Sequence, residues 1–433
     1  MPKEKSIYKC KECSSESTKW LGKCPSCDAW NSYEKEELSL TPRKIHSKIS
    51  ARTPQNLNTV KSVIPRLKTN IEEFDRVLGG GILPSSLVLF SGEPGIGKST
   101  LTLQIAGEIA KHHKVLIISG EESVEQIANR AERIKINEEN LNAISEYNLE
   151  TIIETIKEEK PTLAIIDSIQ VISSLDIQAN SGSITQIKYC TERILETAKK
   201  EKTAIIIIGH VTKDGNLAGP RVLEHLVDAV IQLEGDRFQQ FRILRSSKNR
   251  FGSCNEVGIF EMNELGLKEV KNPSKQFLEG RKENSFGTAI TVAMEGNRPF
   301  LVEVQALTTT SNFGFPKRTA TGFDLNRLQI LIAILEKHAH LNLQNQDVFV
   351  NVVGGIKLKE PANDLAVASA IASSLLKKPI SENTVIIGEM GLSGELRKVP
   401  HLDKRIKEAN KMGFKKIISP EKHKEIISAI KAI

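Results

Sequence analysis

The sequence predicts an α/β protein with a mostly parallel sheet, preceded by a small cysteine-bearing module and followed by a second domain of α+β type. Three observations carry this prediction. LVLFS (87–91) is a short apolar run of the kind that makes a buried strand, and it leads through GEPGIGKST (92–100) into a helical stretch over 100–110. Further apolar runs, VLIIS (115–119), LAIID (163–167), AIIIIG (204–209) and AVIQLE (229–234), alternate with helical spacing such as Ile187, Cys190, Ile194, Leu195 and Ala198. Buried strands separated by helices give a parallel sheet covered on both faces. Near the start, Cys10, Cys13, Cys24 and Cys27 form a C-x2-C-x10-C-x2-C pattern.

A length of 433 residues accommodates two or three domains, and 39% hydrophobic with 26% charged residues is the balance of a soluble protein. The N-terminus, MPKEK, carries no apolar signal region, and no run approaches the roughly 18 apolar residues of a membrane span. The expected address is cytoplasmic, with no membrane partner. A net charge of +7 is mild, but it is unevenly spread. Residues 38–70 hold seven Lys/Arg and no acid, and residues 397–424 hold ten Lys/Arg against three acids. Each stretch reads either as a solvated basic face or as a footprint for nucleic-acid phosphates.

Residues 1–33 form the cysteine module. Each C-x2-C pair turns two sulfurs toward one centre, and two pairs complete a tetrahedral Zn²⁺ site. Four sulfur ligands leave no open coordination position, so the zinc is expected to be structural. A cytoplasmic chain disfavours disulfides as the alternative. Trp20 and Trp30 are available to cover the small core, while Cys190 and Cys254 stand apart and read as packing residues. Residues 34–61, polar, basic and dotted with Pro42 and Pro54, read as a flexible linker. Residues 62–271 make the α/β domain, and a polar stretch over 271–284 marks a second junction. Residues 285–433 make the α+β domain, with strands at TAITVAM, FLVEVQAL and VFVNVV and helices over 364–376 and 402–412.

GEPGIGKST fits G-x-x-x-x-G-K-[ST], the loop that cradles nucleotide phosphates. Gly92, Gly95 and Gly97 let the backbone bend so that the loop from Gly92 through Glu93, Pro94 and Ile96 to Ser99 and Thr100 turns successive N–H groups toward one centre. The Lys98 ammonium joins them there. The ligand this implies is ATP or GTP. Ser99 offers a hydroxyl to Mg²⁺, and Asp167, closing the strand LAIID, is the natural candidate for the carboxylate that holds the same ion through its water shell, the alternative being a cap on the next element. Hydrolysis needs a group that orients water. Glu121 and Glu122, just past the strand 115–119, are the two candidates at the carboxyl edge of the sheet. In KNRFG (248–252), Lys248 and Arg250 can serve a phosphate of nucleotide or DNA, and Phe251 can stack on a base or pack inward.

The cysteine quartet, IEEFDRVLGGG (71–81), GEPGIGKST, SGEES (119–123) and KNRFG together resemble the bacterial RadA (Sms) family of DNA repair proteins, nearly end to end. The resemblance implies a RecA-like P-loop ATPase core using ATP, with Glu121 as the catalytic glutamate and His210 sensing the γ-phosphate. It implies a homo-oligomeric ring, taken as a hexamer, in which Lys248 and Arg250 complete a neighbour's ATP site. It also implies single-stranded and branched DNA as substrates, and a RecA-type recombinase as partner.

The C-terminal domain resembles the proteolytic domain of Lon, with departures. Aligned on Pro361, Ala362 takes the place of the nucleophilic Ser; aligned on SGELRKVPHLDKR, Asp403 takes the place of the Lys base, with Lys404 one residue away. Alanine offers no nucleophile. The expected activity is therefore a DNA-dependent ATPase, a helicase-like motor that migrates branches in recombination and repair, carrying a proteolytically inactive domain. The alternatives are an ATP-dependent Lon-like protease, and a non-motor nucleotide switch that recruits repair partners through the zinc module.

Overall fold

The computed structural model describes residues 6–11, 16–17, 19–25, 27, 29–37, 56, 65–210, 223–235, 241–282, 284–311 and 314–433. Two compact units divide the chain at residue 62. In the first, β1 (Ser6–Cys10) pairs antiparallel with β2 (Glu16–Ser17) and β3 (Tyr33–Glu37), which sets Cys10 opposite Tyr33. The strand β3 takes in residues that the sequence suggests for the linker; most of the remaining linker lies outside the described residues. The two tryptophans do not cover the core. Trp20 is 51% and Trp30 73% exposed, and among the described residues the centre consists of Cys10, Cys24 and Tyr33 with Tyr8 beside them. Tyr33 rather than an indole fills that small interior, its hydroxyl 3.6 Å from Cys24 Sγ.

The second unit is built on a nine-stranded sheet. Its N-terminal part runs α1 (Glu72–Val77), β4 (Leu87–Gly92), α2 (Lys98–Ala110), β5 (Val115–Ser119), α3 (Val124–Arg133) and β6 (Leu141–Ser145). There follow α4 (Leu149–Glu159), β7 (Leu163–Asp167), α5 (Ile184–Glu201), β8 (Ala204–His210) and β9 (Ala229–Glu234). Then come the antiparallel β10 (Phe241–Asn249), β11 (Val257–Asn263) and β12 (Gly266–Glu269). The strand order is β12-β11-β10-β9-β4-β8-β7-β5-β6, parallel from β9 to β6. Central strands such as β4 and β8 are apolar up to their carboxyl ends because both their faces are covered, by one cluster around Phe90, Leu101 and Ile206 and another around Leu89, Ile166 and Ile194. The carboxyl ends of β4, β5, β7 and β8 therefore meet along one edge.

The remainder is a four-stranded sheet with helices. It comprises α6 (Pro273–Phe277), β13 (Thr288–Glu295), β14 (Arg298–Thr310), β15 (Arg318–Thr321), α7 (Leu325–His338), β16 (Gln346–Val352), α8 (Asp364–Leu376) and α9 (Leu402–Lys411). The strand order is β13-β14-β16-β15. Phe300, Val302, Leu328, Leu335 and Ile371 form its core, each such side chain contributing about 1.5–3 kcal/mol on burial. The polar stretch over 271–284 is a packed joint: Phe277 is buried, edge-on to Phe241 of β10 at 4.8 Å and 5.6 Å from Phe300 of β14. Among the described residues, no helix is long and apolar enough to cross a membrane.

Candidate nucleotide site and distal basic loop

The loop after β4 bends where glycine permits. Gly92, Gly95 and Gly97 have φ of 155°, 76° and 116°, and a Cβ at Gly97 would fall 2.7 Å from Met262 Cε. Ile96 anchors the loop from below, only 1% exposed within the sheet's core, so its contribution to a ligand is confined to its backbone. Pro94 and Gly95 form the exposed rim, and Thr100 sits half-buried in the first turn of α2. The α2 N-terminus thus points its free N–H groups into the loop. Lys98 is 3% exposed, with Nζ donating to the Gly92 carbonyl at 2.9 Å and the Glu93 carbonyl at 3.0 Å. Burial pushes its pKa down to about 8, against the pull of the Asp167 and Glu121 carboxylates.

Asp167 arrives from the end of β7 and accepts the Ser99 hydroxyl at 2.6 Å. A hydroxyl and a carboxylate held together beside a phosphate loop are the donor set Mg²⁺ takes when it keeps most of its waters. Burial raises the Asp167 pKa, and the Glu121 charge adds to this, while the Ser99 hydroxyl opposes it.

The turn after β5 separates the two glutamates. Ser119 Oγ accepts the N–H groups of Glu121 at 3.3 Å and Glu122 at 2.9 Å. A reciprocal pair between Ser123 and Gln126 caps α3 immediately afterwards, fixing where the turn ends. Glu121 faces the phosphate loop: its Oε1 accepts the Ser168 hydroxyl at 2.6 Å and lies 3.8 Å from His210 Nε2. Glu122 is instead ion-paired with Arg130 of α3. His210 ends β8, in register with Gly92. Its pKa is lowered by burial and by Lys98, so its ring is neutral near pH 7, and its Nδ1 is buried with no hydrogen-bond partner among the described residues. Lys98, Ser99, Asp167, Glu121 and His210 are thereby brought to one sheet edge.

Lys248 and Arg250 are not at that edge. Lys248 Nζ donates to the Glu224 carbonyl at 2.6 Å, and burial lowers its pKa, with Arg250 adding to the effect. Arg250 pairs with Asp228 at 3.3 Å, and Asp228 also accepts the Leu87 N–H at the start of β4. Both cations therefore sit at the amino end of a six-residue strand whose carboxyl end carries Gly92, roughly 17 Å away at about 3.3 Å per residue. Phe251 is 37% exposed, and its carbonyl accepts Arg66 at 2.7 Å.

In the first unit, the sulfurs of Cys10, Cys24 and Cys27 all lie within 4.8 Å of one another, with Cys10 and Cys27 3.7 Å apart. That spacing is far beyond a disulfide's ~2.05 Å. It equals the edge of a tetrahedron with metal–sulfur bonds of about 2.3 Å, so the set fits Zn²⁺. Cys13 lies outside the described residues.

Where the Lon resemblance would need a nucleophile, Ala362 is 2% exposed in a small apolar cluster, and Asp403 is an exposed residue in the first turn of α9. The fully buried Arg405 donates from Nη1 to Oε1 of the half-buried Glu360 at 2.9 Å. Cys190 is fully buried, as expected, but Cys254 is exposed in the turn after KNRFG rather than packed in a core.

Sequence reasoning missed three residues of the site. Ser168 holds Glu121, Arg130 holds Glu122, and Gln170 reaches the His210 carbonyl at 3.5 Å. Ser168 follows Asp167 directly and was the most readable of them; no spacing signals the other two.

A phosphate loop on a strand flanked by β8 and β9, with the Asp167 carboxylate ending β7 two strands away, defines a RecA-like ATPase core, here with a zinc ribbon ahead of it. The AAA domain family matches residues 52–216, the rubredoxin metal binding domain family residues 8–35, and the family of subunit ChlI of Mg-chelatase residues 311–423. The DNA repair protein RadA of Bacillus subtilis is 49% identical over 97% of this chain and 93% of its own. That of Listeria monocytogenes is 47% identical over 96% of this chain and 92% of its own. Among solved structures, the RadB recombinase is similar over 47% of this chain and 100% of its own, at 23% identity and a TM-score of 0.39. The chain belongs to the RadA family of DNA repair proteins.

Proposed function

We propose that this protein is a DNA-dependent ATPase that works as a ring of like subunits, moves on single-stranded and branched DNA, and migrates branches in recombination and repair beside a RecA-type recombinase. The observation that carries the reading is the separation of Lys248 and Arg250 from the phosphate loop of their own chain. Cations at the far edge of the sheet serve a phosphate held by something else. In a ring, that is the neighbour's triphosphate, whose transition-state charge such a cation stabilises.

Within one chain, Lys98 and the loop amides bind the phosphates, Glu121 orients the attacking water, and His210 senses the γ-phosphate as a neutral imidazole. Ser99 and Asp167 would hold Mg²⁺, which would supply positive charge beside the triphosphate. Residues 62–271 act as the motor domain. Residues 285–433, Lon-like in ancestry, serve as a scaffold whose basic stretch over 397–424 follows DNA. The buried Ala362 and the exposed Asp403 speak against a protease. A nucleotide switch that only recruits partners would not need turnover stimulated by DNA.

ATP hydrolysis measured without DNA, with single-stranded DNA and with duplex, across a salt series, tests the reading. Single-stranded DNA should stimulate turnover at low salt, and the stimulation should fall steeply as salt rises. Turnover indifferent to every DNA would contradict the motor.

A further inference from the structure

We propose that the tip of the β13–β14 hairpin, residues 295–298, positions the loop that carries Lys248 and Arg250, so that the C-terminal domain sets how those cations meet a neighbour's nucleotide. This rests on the reading that the two cations act across a subunit boundary.

The ladder between β9 and β10 breaks register between Ser246 and Lys248 and resumes at Lys248–Val230 and Asn249–Ala229, so the bulge bends the strand just where it delivers the loop. Residues of the hairpin tip hold both stems from outside that ladder. On the incoming stem, Arg245 of β10 gives Nη1 to Glu295 Oε2 at 2.5 Å and Nε to Glu234 Oε2 at 2.9 Å. The Arg245 and Glu295 side chains are only 24% and 14% exposed, so the pair is weakly screened.

On the outgoing stem, the Asn255 carbonyl accepts the Asn297 N–H at 2.7 Å. Gly296, with φ of +57°, lies so close that a Cβ there would sit 2.0 Å from the same carbonyl oxygen. Only glycine allows that approach. Arg298 then locks the hairpin to α1 through its ion pair with the buried Glu73, which also accepts the Ile259 N–H of β11 at 2.9 Å. Both stems of the loop are thus gripped by one turn whose strands run on into the four-stranded sheet. A shift of that sheet moves Lys248 and Arg250 without touching the phosphate loop. Glu295 and Gly296 are positioning residues; neither reaches a nucleotide.

The test uses the full chain carrying Gly296→Ala, in which the added methyl pushes the hairpin off Asn255. Turnover with single-stranded DNA should fall by about 10²-fold, the cost of roughly a 1 Å misplacement, while KM for ATP stays within about twofold. A merely weakened fold would not show the next behaviour. Mixed with Glu121→Gln chains, the variant should regain turnover, because an intact loop then serves its intact ATP site. Mixed with Lys248→Ala chains, it should not, because every loop is defective. Glu295→Gln keeps the side chain's shape and should show the same mixing pattern with a smaller drop; it carries the test if Gly296→Ala fails to fold. Wild-type turnover in both variants, or recovery when either is mixed with Lys248→Ala, would overturn the hairpin's role. The pair Lys248→Ala plus Glu121→Gln is the control. If this pair fails to recover, the trans reading itself falls, and the hairpin proposal with it.

Discussion

Lys98 must be protonated to hold a triphosphate, and its surroundings make that depend on pH. In the free protein its pKa is pushed down to about 8 by burial. Below that value the charged form is already present and nucleotide affinity should be flat. Above it, binding must take up a proton, so Kd should rise toward about tenfold per pH unit. Titration of a fluorescent nucleotide between about pH 7 and pH 9.5 reads this directly, and a flat profile would contradict the assigned ammonium. Lys98→Ala should abolish hydrolysis and weaken binding at every pH, since charge on the phosphates is then uncompensated. Glu121→Gln should keep ATP bound while losing turnover. Its carboxylate faces the loop, whereas that of Glu122 is occupied by Arg130. A trapped complex from Glu122→Gln in its place would reverse the assignment.

At the scale of elements, the zinc ribbon and α9 make separable predictions. Among the described residues the ribbon's core is little more than Cys10, Cys24 and Tyr33, too small to persist without metal. One zinc per chain is expected, and Cys24→Ser should unfold this unit while the sheet unit keeps nucleotide binding. Metal analysis finding no zinc in chelator-free protein would contradict it. On α9 and the turn after it, Lys404, Lys407, Lys411 and Lys415 are exposed, whereas Arg405 between them is buried against Glu360. Reversing the four exposed charges should lower affinity for single-stranded DNA. It should also flatten the salt dependence, by about 0.7 in slope for each phosphate the protein no longer neutralises. An unchanged slope would mean a merely solvated face.

Much of the whole molecule was legible in the sequence. The strand–loop–helix around Lys98 and the strand-end carboxylate Asp167 follow from local pattern, since apolar runs and glycines act over a few residues. The helix over 364–376 was readable for the same reason. What local pattern could not reach was contact between distant segments: Ser168 on Glu121, Arg245 on Glu295, and Phe277 tying the two sheets through Phe241 and Phe300. The tryptophans misled because aromatic residues usually bury, and this ribbon is too small to bury them. The position of KNRFG was equally invisible, because antiparallel strands carry it to the sheet edge opposite the phosphate loop.

That position makes the central claim measurable. Chains carrying Glu121→Gln and chains carrying both Lys248→Ala and Arg250→Ala should each be nearly inactive alone, with ATP affinity largely retained. Mixed, they should regain ATPase activity, because some boundaries then join an intact site to an intact loop. No recovery at any ratio, with co-assembly shown independently, would place Lys248 and Arg250 in service of their own chain or of DNA.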